Sequence, residues 1–375
     1  MRRVQCMYWR QDLGVFGVMD LARNALDLWY SGKDLKYDIS ESGYCHTKFP
    51  ILTTLNLKHL CEYGETEGVA RLRNLIAKKY SCCSENVLLT NGTSEGLFVL
   101  LNSILEPGDE VIVCVPYYVD VHLVTKQIPI HYIQIQIDVT KQFDIERIYN
   151  VVTDKTKCII FNFPNNPSGV TISSAQQKEI FRFAEERKIY AISDDVFSGL
   201  YPSALPVLSG KYWISLNGMS KSFGYPGARL GWIVAHKEII EKALYLKETI
   251  NVATNIVSQR LAFSLLKKDK CILSRNNTNI RKNLSYIRET LSHQLIFQMS
   301  NYQGGCCMLL LYNSEVNAIS STALCNLIYE KTSILVAPGD CFGITNGIRI
   351  GFGMRHNKFK KIFKKFLSVC EDILR

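Results

Sequence analysis

"NVLLTNGTSEGLFVLLNSILEPGDEVIVCV", residues 86–115, decides the fold class. "NVLLT" reads as a short buried strand, "SEGLFVLLNSIL" as a helix and "DEVIVCV" as a second strand. The same rhythm extends outward. Upstream, "GVARLRNLIAKKY" is an amphipathic helix; downstream, "KCIIFNF" is a strand, "SSAQQKEIFRFAEERK" a helix and "IYAIS" a strand, with "YWISLN" and "ARLGWIVA" as two more strands. Apolar strands spaced by amphipathic helices predict an α/β fold with a mostly parallel sheet covered on both faces. Ligands of such sheets sit in the loops at the strands' carboxyl ends.

A long helical region is expected from "HKEIIEKALYLKETI" to about residue 295. A smaller α/β piece follows through "GGCCMLLLY" and "GIRIGFG" to a final helix. The expected division is an N-terminal segment, residues 1–60, contributing to the small domain; a large domain, 61–260; and a small C-terminal domain, 261–375. The boundary falls inside the long helix, near residues 245–270.

The 375 residues are 47% hydrophobic and 21% charged, enough for a sizeable core and against disorder. No apolar run is long enough to span a membrane. Polar Arg10, Gln11 and Asp12 interrupt the N-terminal stretch, which argues against a secretory signal. Thirteen cysteines occur without a CxxC pair, so neither a metal site nor a redox pair is indicated. Reduced, mostly buried thiols and a cytoplasmic location are expected. Much of the net charge of +10 lies in "RHNKFKKIFKKFLSVCEDILR". There Phe359, Ile362, Phe363, Phe366 and Leu367 recur at helical spacing with lysines opposite, which predicts a solvated basic helix face and no nucleic-acid partner.

The residues with chemistry fall in the loops. "TNGTSEG" places Gly92, Thr93 and Ser94 at a helix start, a ready phosphate cradle, though an ordinary N-cap explains it as well. Tyr118, in "VPYYVD", offers a ring to stack on, and Asn166, in "NFPNNPSGV", a turn-borne amide. Asp194 ends an apolar strand, where a carboxylate is costly unless it meets a cation or strong donor. In "SLNGMSKSFGYPGARLGW", residues 215–232, Lys221 stands between two serines with Arg229 eight residues on. Each has a plain structural explanation; together they describe one ligand. Gly92, Thr93, Ser94 and Arg229 suit a phosphate, Tyr118 a flat ring, Asp194 a protonated ring nitrogen, Asn166 a ring hydroxyl and Lys221 an aldehyde. That ligand is pyridoxal 5′-phosphate (PLP).

The chain resembles fold-type I PLP enzymes of the aminotransferase class I/II family from about Tyr63 to Arg349. "YGETEGVARLR" resembles the family's Tyr-x(4)-Gly-x(3)-Leu-Arg element. "NNPSG" is similar to its Asn-Pro-[Ser/Thr]-Gly turn, and "SKSFGYPGARLGW" to its Ser-Lys-x(7)-Arg-x-Gly signature. The resemblance implies a mostly parallel seven-stranded-type sheet in a large domain plus a smaller α/β domain, with Lys221 as Schiff-base lysine and proton shuttle and Ser220 beside it at the cofactor. It also implies Asp194 as pyridinium partner, Asn166 as O3′ donor and Tyr118 as stacking ring. Tyr63 matches a phosphate ligand supplied by a second subunit, hence a homodimer with shared sites. Arg349 matches the residue that binds the substrate α-carboxylate.

Two departures stand out. Relatives carry a tyrosine at the cofactor three residues past the aspartate; here the position is Phe197, which either raises the basicity of O3′ or is neutral packing. In place of an apolar strand and Gly-x-Pro turn, the N-terminal region reads "LKYDISESGYCHTKFP". Glu41, Ser42, Gly43, Tyr44, His46 and Thr47 suit a polar substrate side chain, with His46 a candidate acid or base. "DISESG" resembles the opening of the capreomycidine synthase and hydroxyarginine cyclodehydratase branch. That branch implies loss of water from a hydroxylated arginine and closure of a guanidine ring with the amine retained. Family frequency favours transamination of an amino acid; the N-terminal segment and Phe197 favour elimination or cyclisation. The balance leans to transamination. A non-enzymatic regulator with a winged helix is not expected, because no such segment precedes the family match.

Overall fold

The computed structural model describes residues 25–33, 37–45, 63–118, 121–125, 128–200, 210–313 and 319–374. Its centre is a seven-stranded sheet. The strands are β1 (Val87–Thr90), β2 (Glu110–Val115), β3 (His131–Gln136), β4 (Thr156–Phe161), β5 (Tyr190–Asp194), β6 (Trp213–Gly218) and β7 (Gly231–Val234). They lie in the order β1-β7-β6-β5-β4-β2-β3. All pairs are parallel except those that β7 makes with β1 and β6. The α/β architecture with a mostly parallel sheet is as expected, and six of its strands fall where the sequence pattern put them.

Seven strands are what the resemblance implies, and β3 is the one that the apolar pattern does not mark. It lies at the sheet edge, and in "HYIQIQ" only Ile135 is buried, so it lacks the apolar run that marks an inner strand.

Alternation along the inner strands assigns neighbouring residues to opposite faces. Leu88, Ile160, Ile192 and Ile214 pack with Leu97, Leu100, Leu101, Ile239 and Ala243 on one face. Leu89, Ile159, Ala191 and Trp213 pack with Leu72, Ile76, Ile180, Phe181 and Ala262 on the other. Each such side chain taken from water contributes about 1.5–3 kcal/mol.

The expected long helix is three: Lys237–Ile250, Ile256–Leu266 and Asp269–Leu291. The first break has a visible cause. Asn251 is extended, and the Asn255 side chain accepts from the N–H groups of Val257 and Ser258 at 2.9 and 3.1 Å, opening a new helix. A boundary inside one continuous helix is therefore replaced by a broken helical path.

A third core surrounds a four-stranded antiparallel sheet of Ala337–Pro338, Gly347–Gly351, Cys307–Leu311 and Gln298–Met299. It takes in Leu26, Trp29 and Ile39 from the N-terminal segment, Ile280 and Ile287, and the aromatic face of helix His356–Leu374. Tyr37–Asp38 pairs in parallel with Ile334–Leu335, which ties that segment to this part of the molecule. On the final helix Phe359, Ile362, Phe363, Phe366 and Leu367 are all buried, with Lys358, Lys360, Lys361 and Lys364 exposed opposite. Among the described residues no helix is long and apolar enough to cross a membrane.

Candidate active site

The carboxyl ends of the parallel strands carry the site. Asp194 ends β5 and pairs in register with Leu216 of β6; Lys221 lies in the turn just after β6. Asn166 follows β4, Tyr117 and Tyr118 follow β2, and Gly92 follows β1. The turn holding Lys221 is fastened at several points. Met219 N–H donates to Leu230 O, and Ser222 donates to Val196 O through both N–H and hydroxyl. The Asn276 amide donates to Ser222 O at 2.9 Å.

Gly92 is the N-cap of helix Thr93–Ile104 and has no side chain to cap it, so the helix's first N–H groups face the site. Its φ is +84°, and a Cβ there would stand 2.6 Å from Nη2 of Arg229. The guanidinium thus lies directly over the helix start. Arg229 also donates to Ser220 Oγ at 3.5 Å and to Pro226 O at 3.1 Å. Thr93 and Ser94 form the helix's first two positions, with Ser94 exposed.

Asp194 is buried. Tyr117 donates its hydroxyl to Oδ2 at 3.0 Å and Val196 its N–H to Oδ1 at 3.3 Å. Burial raises the carboxyl to about 6 against these donors and the Lys221 charge. The Tyr117 hydroxyl is in turn pushed well above its ordinary range by burial and by the Asp194 charge. The Lys221 ammonium sits 5.9 Å from the Tyr118 ring centroid.

Lys221 Nζ donates to Glu41 Oε1 at 2.7 Å, and the same oxygen accepts Gly43 N–H at 2.7 Å. Burial alone would raise the Glu41 carboxyl, but Lys221, the Gly43 N–H and Arg349 hold it down at about 2. Burial alone would lower the Lys221 pKa, and Glu41 raises it above the usual lysine range instead. The segment 39–45 threads between the two sheets: Tyr44 N–H donates to Lys221 O, Cys45 N–H to Gly353 O, and Gly351 N–H to Ile39 O. A Cβ on Gly43 would stand 3.1 Å from Lys221 Cδ and from Ser220 O, so the segment approaches the lysine closely here. Ser42 is buried, and its carbonyl accepts the Cys306 thiol.

Arg349, 2% exposed, donates from Nη1 to Asn166 Oδ1 at 2.8 Å. From Nη2 it donates to Tyr30 Oη at 2.9 Å and Ser40 O at 2.7 Å. Its Nε is buried without a partner among the described residues. Phe197 is buried in the third core with Val196, Leu200 and Tyr302. Tyr63 is 89% exposed. His46 and Thr47 lie outside the described residues.

The structure therefore brings Lys221, Asp194, Asn166, Tyr118, Arg229, Gly92, Glu41 and Arg349 around one set of strand ends. Tyr117 and Tyr30 were not singled out for their hydroxyls. Tyr117 adjoins the expected stacking ring, and that adjacency is its one sequence signal; Tyr30 lies 319 residues from Arg349 and carries none.

A sequence profile of the aminotransferase class I and II family matches residues 54–366. The chain is 31% identical over 280 residues to a (5-formylfuran-3-yl)methyl phosphate transaminase of Methanocaldococcus jannaschii, covering 68% of this chain and 70% of the other. It is 24% identical over 334 residues to a capreomycidine synthase of Streptomyces vinaceus, covering 84% and 85%. Its fold superposes on a PLP-dependent cyclase, OrfR, with a TM-score of 0.86 at 21% identity, covering 96% and 100% of the two chains. With its match to the family profile across most of its length, the chain belongs to the aminotransferase class I and II family of fold-type I PLP-dependent enzymes.

Proposed function

We propose that this enzyme acts on an amino acid with a cationic side chain, and that it transfers the amino group. The observation that carries the substrate class is Glu41, a carboxylate held on Lys221 at 2.7 Å. A pocket bearing that negative charge disfavours an acidic side chain and suits a guanidinium or ammonium.

The residues fit PLP. The Gly92 helix start and Arg229 bring backbone N–H groups and a positive charge together, which suits a phosphate, and buried Asp194 is a carboxylate suited to a protonated ring nitrogen. Gly92, Thr93, Ser94, Ser220 and Arg229 would hold the phosphate, Tyr118 the ring, Asn166 the ring hydroxyl and Asp194 the ring nitrogen. Phe197 would bound the site without donating. When bound, PLP supplies an electron sink conjugated to the substrate amine.

With PLP bound, Lys221 Nζ in its neutral form would be the group that moves the proton at the substrate α-carbon. Arg349 binds the α-carboxylate, with Tyr30 and Ser40 O fixing its fork. Glu41, with Ser42 and Gly43, reads the side chain. The exposed side chains of Tyr63, Tyr245, Ile250 and Val252 support a homodimer in which Tyr63 serves the second copy's phosphate. The described cysteines are free thiols, consistent with the cytoplasm.

A second reading has its own support: elimination of a side-chain substituent and ring closure, with the amine retained. Glu41 beside Lys221 favours it, because the carboxylate can hold a guanidinium against the reacting carbon while the Lys221 ammonium beside it carries a proton for a leaving hydroxyl. Similarity to a capreomycidine synthase and a PLP-dependent cyclase points the same way.

The test is a mass-spectrometric screen of the PLP-loaded enzyme with arginine, hydroxyarginines, lysine and aspartate, with and without 2-oxoglutarate or pyruvate. Amine loss that requires the oxo acid supports transfer. Water loss with the amine retained and no acceptor replaces it with the second reading. Aspartate as the preferred donor overturns the cationic assignment.

A further inference from the structure

Lys247 is the buried cation that the chemistry above does not use. It lies in helix Lys237–Ile250, is 0% exposed, and donates from Nζ to Thr66 O at 3.0 Å. Burying an ammonium is costly without compensation, and burial lowers its pKa against the carboxylates of Glu95, Glu248 and Glu67. Glu95 stands in the first turn of helix Thr93–Ile104, beside the cradle. Its Oε2 accepts from Asn91 at 2.8 Å and Asn251 at 3.1 Å, while its Oε1 is buried with no hydrogen-bond partner among the described residues.

Thr66 lies in a turn within residues 63–69, an arm that carries Tyr63 at its tip. The arm is held elsewhere by Val69 N–H donating to Gln259 Oε1 at 2.7 Å, Arg73 Nε donating to Gly68 O at 2.7 Å, and Leu89 N–H donating to Glu67 O at 2.9 Å. These three holds grip residues 67–69, and an exposed ion pair of Arg73 Nη2 with Glu65 Oε2 at 3.3 Å holds a side chain beyond them. Lys247 takes a backbone carbonyl nearer the tip than those three, and just past the end of its helix Asn251 donates to Glu95 Oε2 at 3.1 Å.

We propose that Lys247 is a positioning residue whose buried ammonium ties the Tyr63 arm to helix Lys237–Ile250, which packs on the helix that opens the phosphate cradle. The link couples the arm serving one subunit's partner to the cradle of its own subunit, and Lys247 sets the direction in which Tyr63 projects. This rests on the reading of Tyr63 as a ligand across a dimer. An isosteric apolar side chain would fill the same space, so packing alone does not call for a lysine here.

The experiment measures PLP affinity by absorbance titration for the wild type, Lys247→Met, Tyr63→Phe and the double variant, with backbone hydrogen exchange of residues 63–69. Each single change is expected to weaken PLP binding roughly tenfold, the loss of one hydrogen bond to a charged or shared group. The double variant is expected to be little worse than either, because both act through one contact. Exchange across 63–69 quickens in Lys247→Met. Wild-type PLP affinity in Lys247→Met, or losses that multiply in the double variant, overturns the proposal. If Lys247→Met does not fold, Lys247→Gln is read by the same criteria. If Tyr63→Phe leaves affinity unchanged, the shared-site reading falls, and the exchange rates alone decide whether Lys247 anchors the arm: unchanged rates sink it.

Discussion

Glu41 and Asp194 pose opposite electrostatic problems, and their pH behaviour separates them. Glu41 is held at about 2 against an ordinary 4.5, so its pairing with Lys221 adds stability that is full above pH 4.5 and is lost as pH falls toward 2. Glu41→Gln should therefore lose less stability than the wild type between about pH 5 and pH 3, measured by urea unfolding. The same variant should cut kcat/KM for a cationic substrate on the order of a hundredfold while sparing a neutral one. Asp194 runs the other way. Its carboxyl is raised by burial from 3.8 to about 6, so ionising it costs stability above that pH, and the cost disappears below 3.8. Asp194→Asn should stabilise the cofactor-free protein at pH 7 by at most about 3 kcal/mol while weakening its hold on PLP. An unchanged or lower unfolding midpoint would show that burial of this carboxylate is fully offset by Tyr117 and Val196.

At the level of elements, short connections do the positioning. Gly92 lets helix Thr93–Ile104 begin under Arg229, and Gly92→Ala puts a Cβ in a left-handed conformation against that guanidinium. It should cost about 1–3 kcal/mol in unfolding experiments and weaken PLP binding more than it weakens the fold. The helix break before Ile256 rests on Asn255, and Asn255→Ala should lower stability by about 1 kcal/mol with PLP affinity unchanged. The 39–45 segment is the most consequential connection. Its backbone bonds to Lys221, Gly353 and Gly351 carry Glu41 to the reacting lysine. It was legible in the sequence as a polar departure from relatives. Its arrival on Lys221, 180 residues away, was not, because nothing local in "DISESG" specifies which strand it meets.

Across the whole molecule, the alternation of apolar strands and amphipathic helices was enough to anticipate the parallel sheet, since burial on both faces leaves a continuous signal. The edge strand β3 escaped because half its side chains face water. A second whole-molecule feature is the exposed side chains of Tyr63, Tyr245, Ile250 and Val252. Val252→Asp places a charge among them and should shift sedimentation toward a monomer, with PLP affinity falling in step if Tyr63 serves a second copy. A variant that stays dimeric, or a monomer that binds PLP as tightly, would separate assembly from the site.

By itself the sequence determined the family, the sheet and the loops that hold Lys221, Asp194, Asn166 and Arg229, because those groups sit at strand ends that hydrophobic periodicity marks. Tertiary structure decided the rest. The Glu41–Lys221 pair, the Tyr117 donor on Asp194 and the Tyr30 clasp on Arg349 each join residues distant in sequence. Such contacts arise only once strands and segments far apart in the chain are brought together, and side-chain polarity alone does not say which partner a buried charge will find.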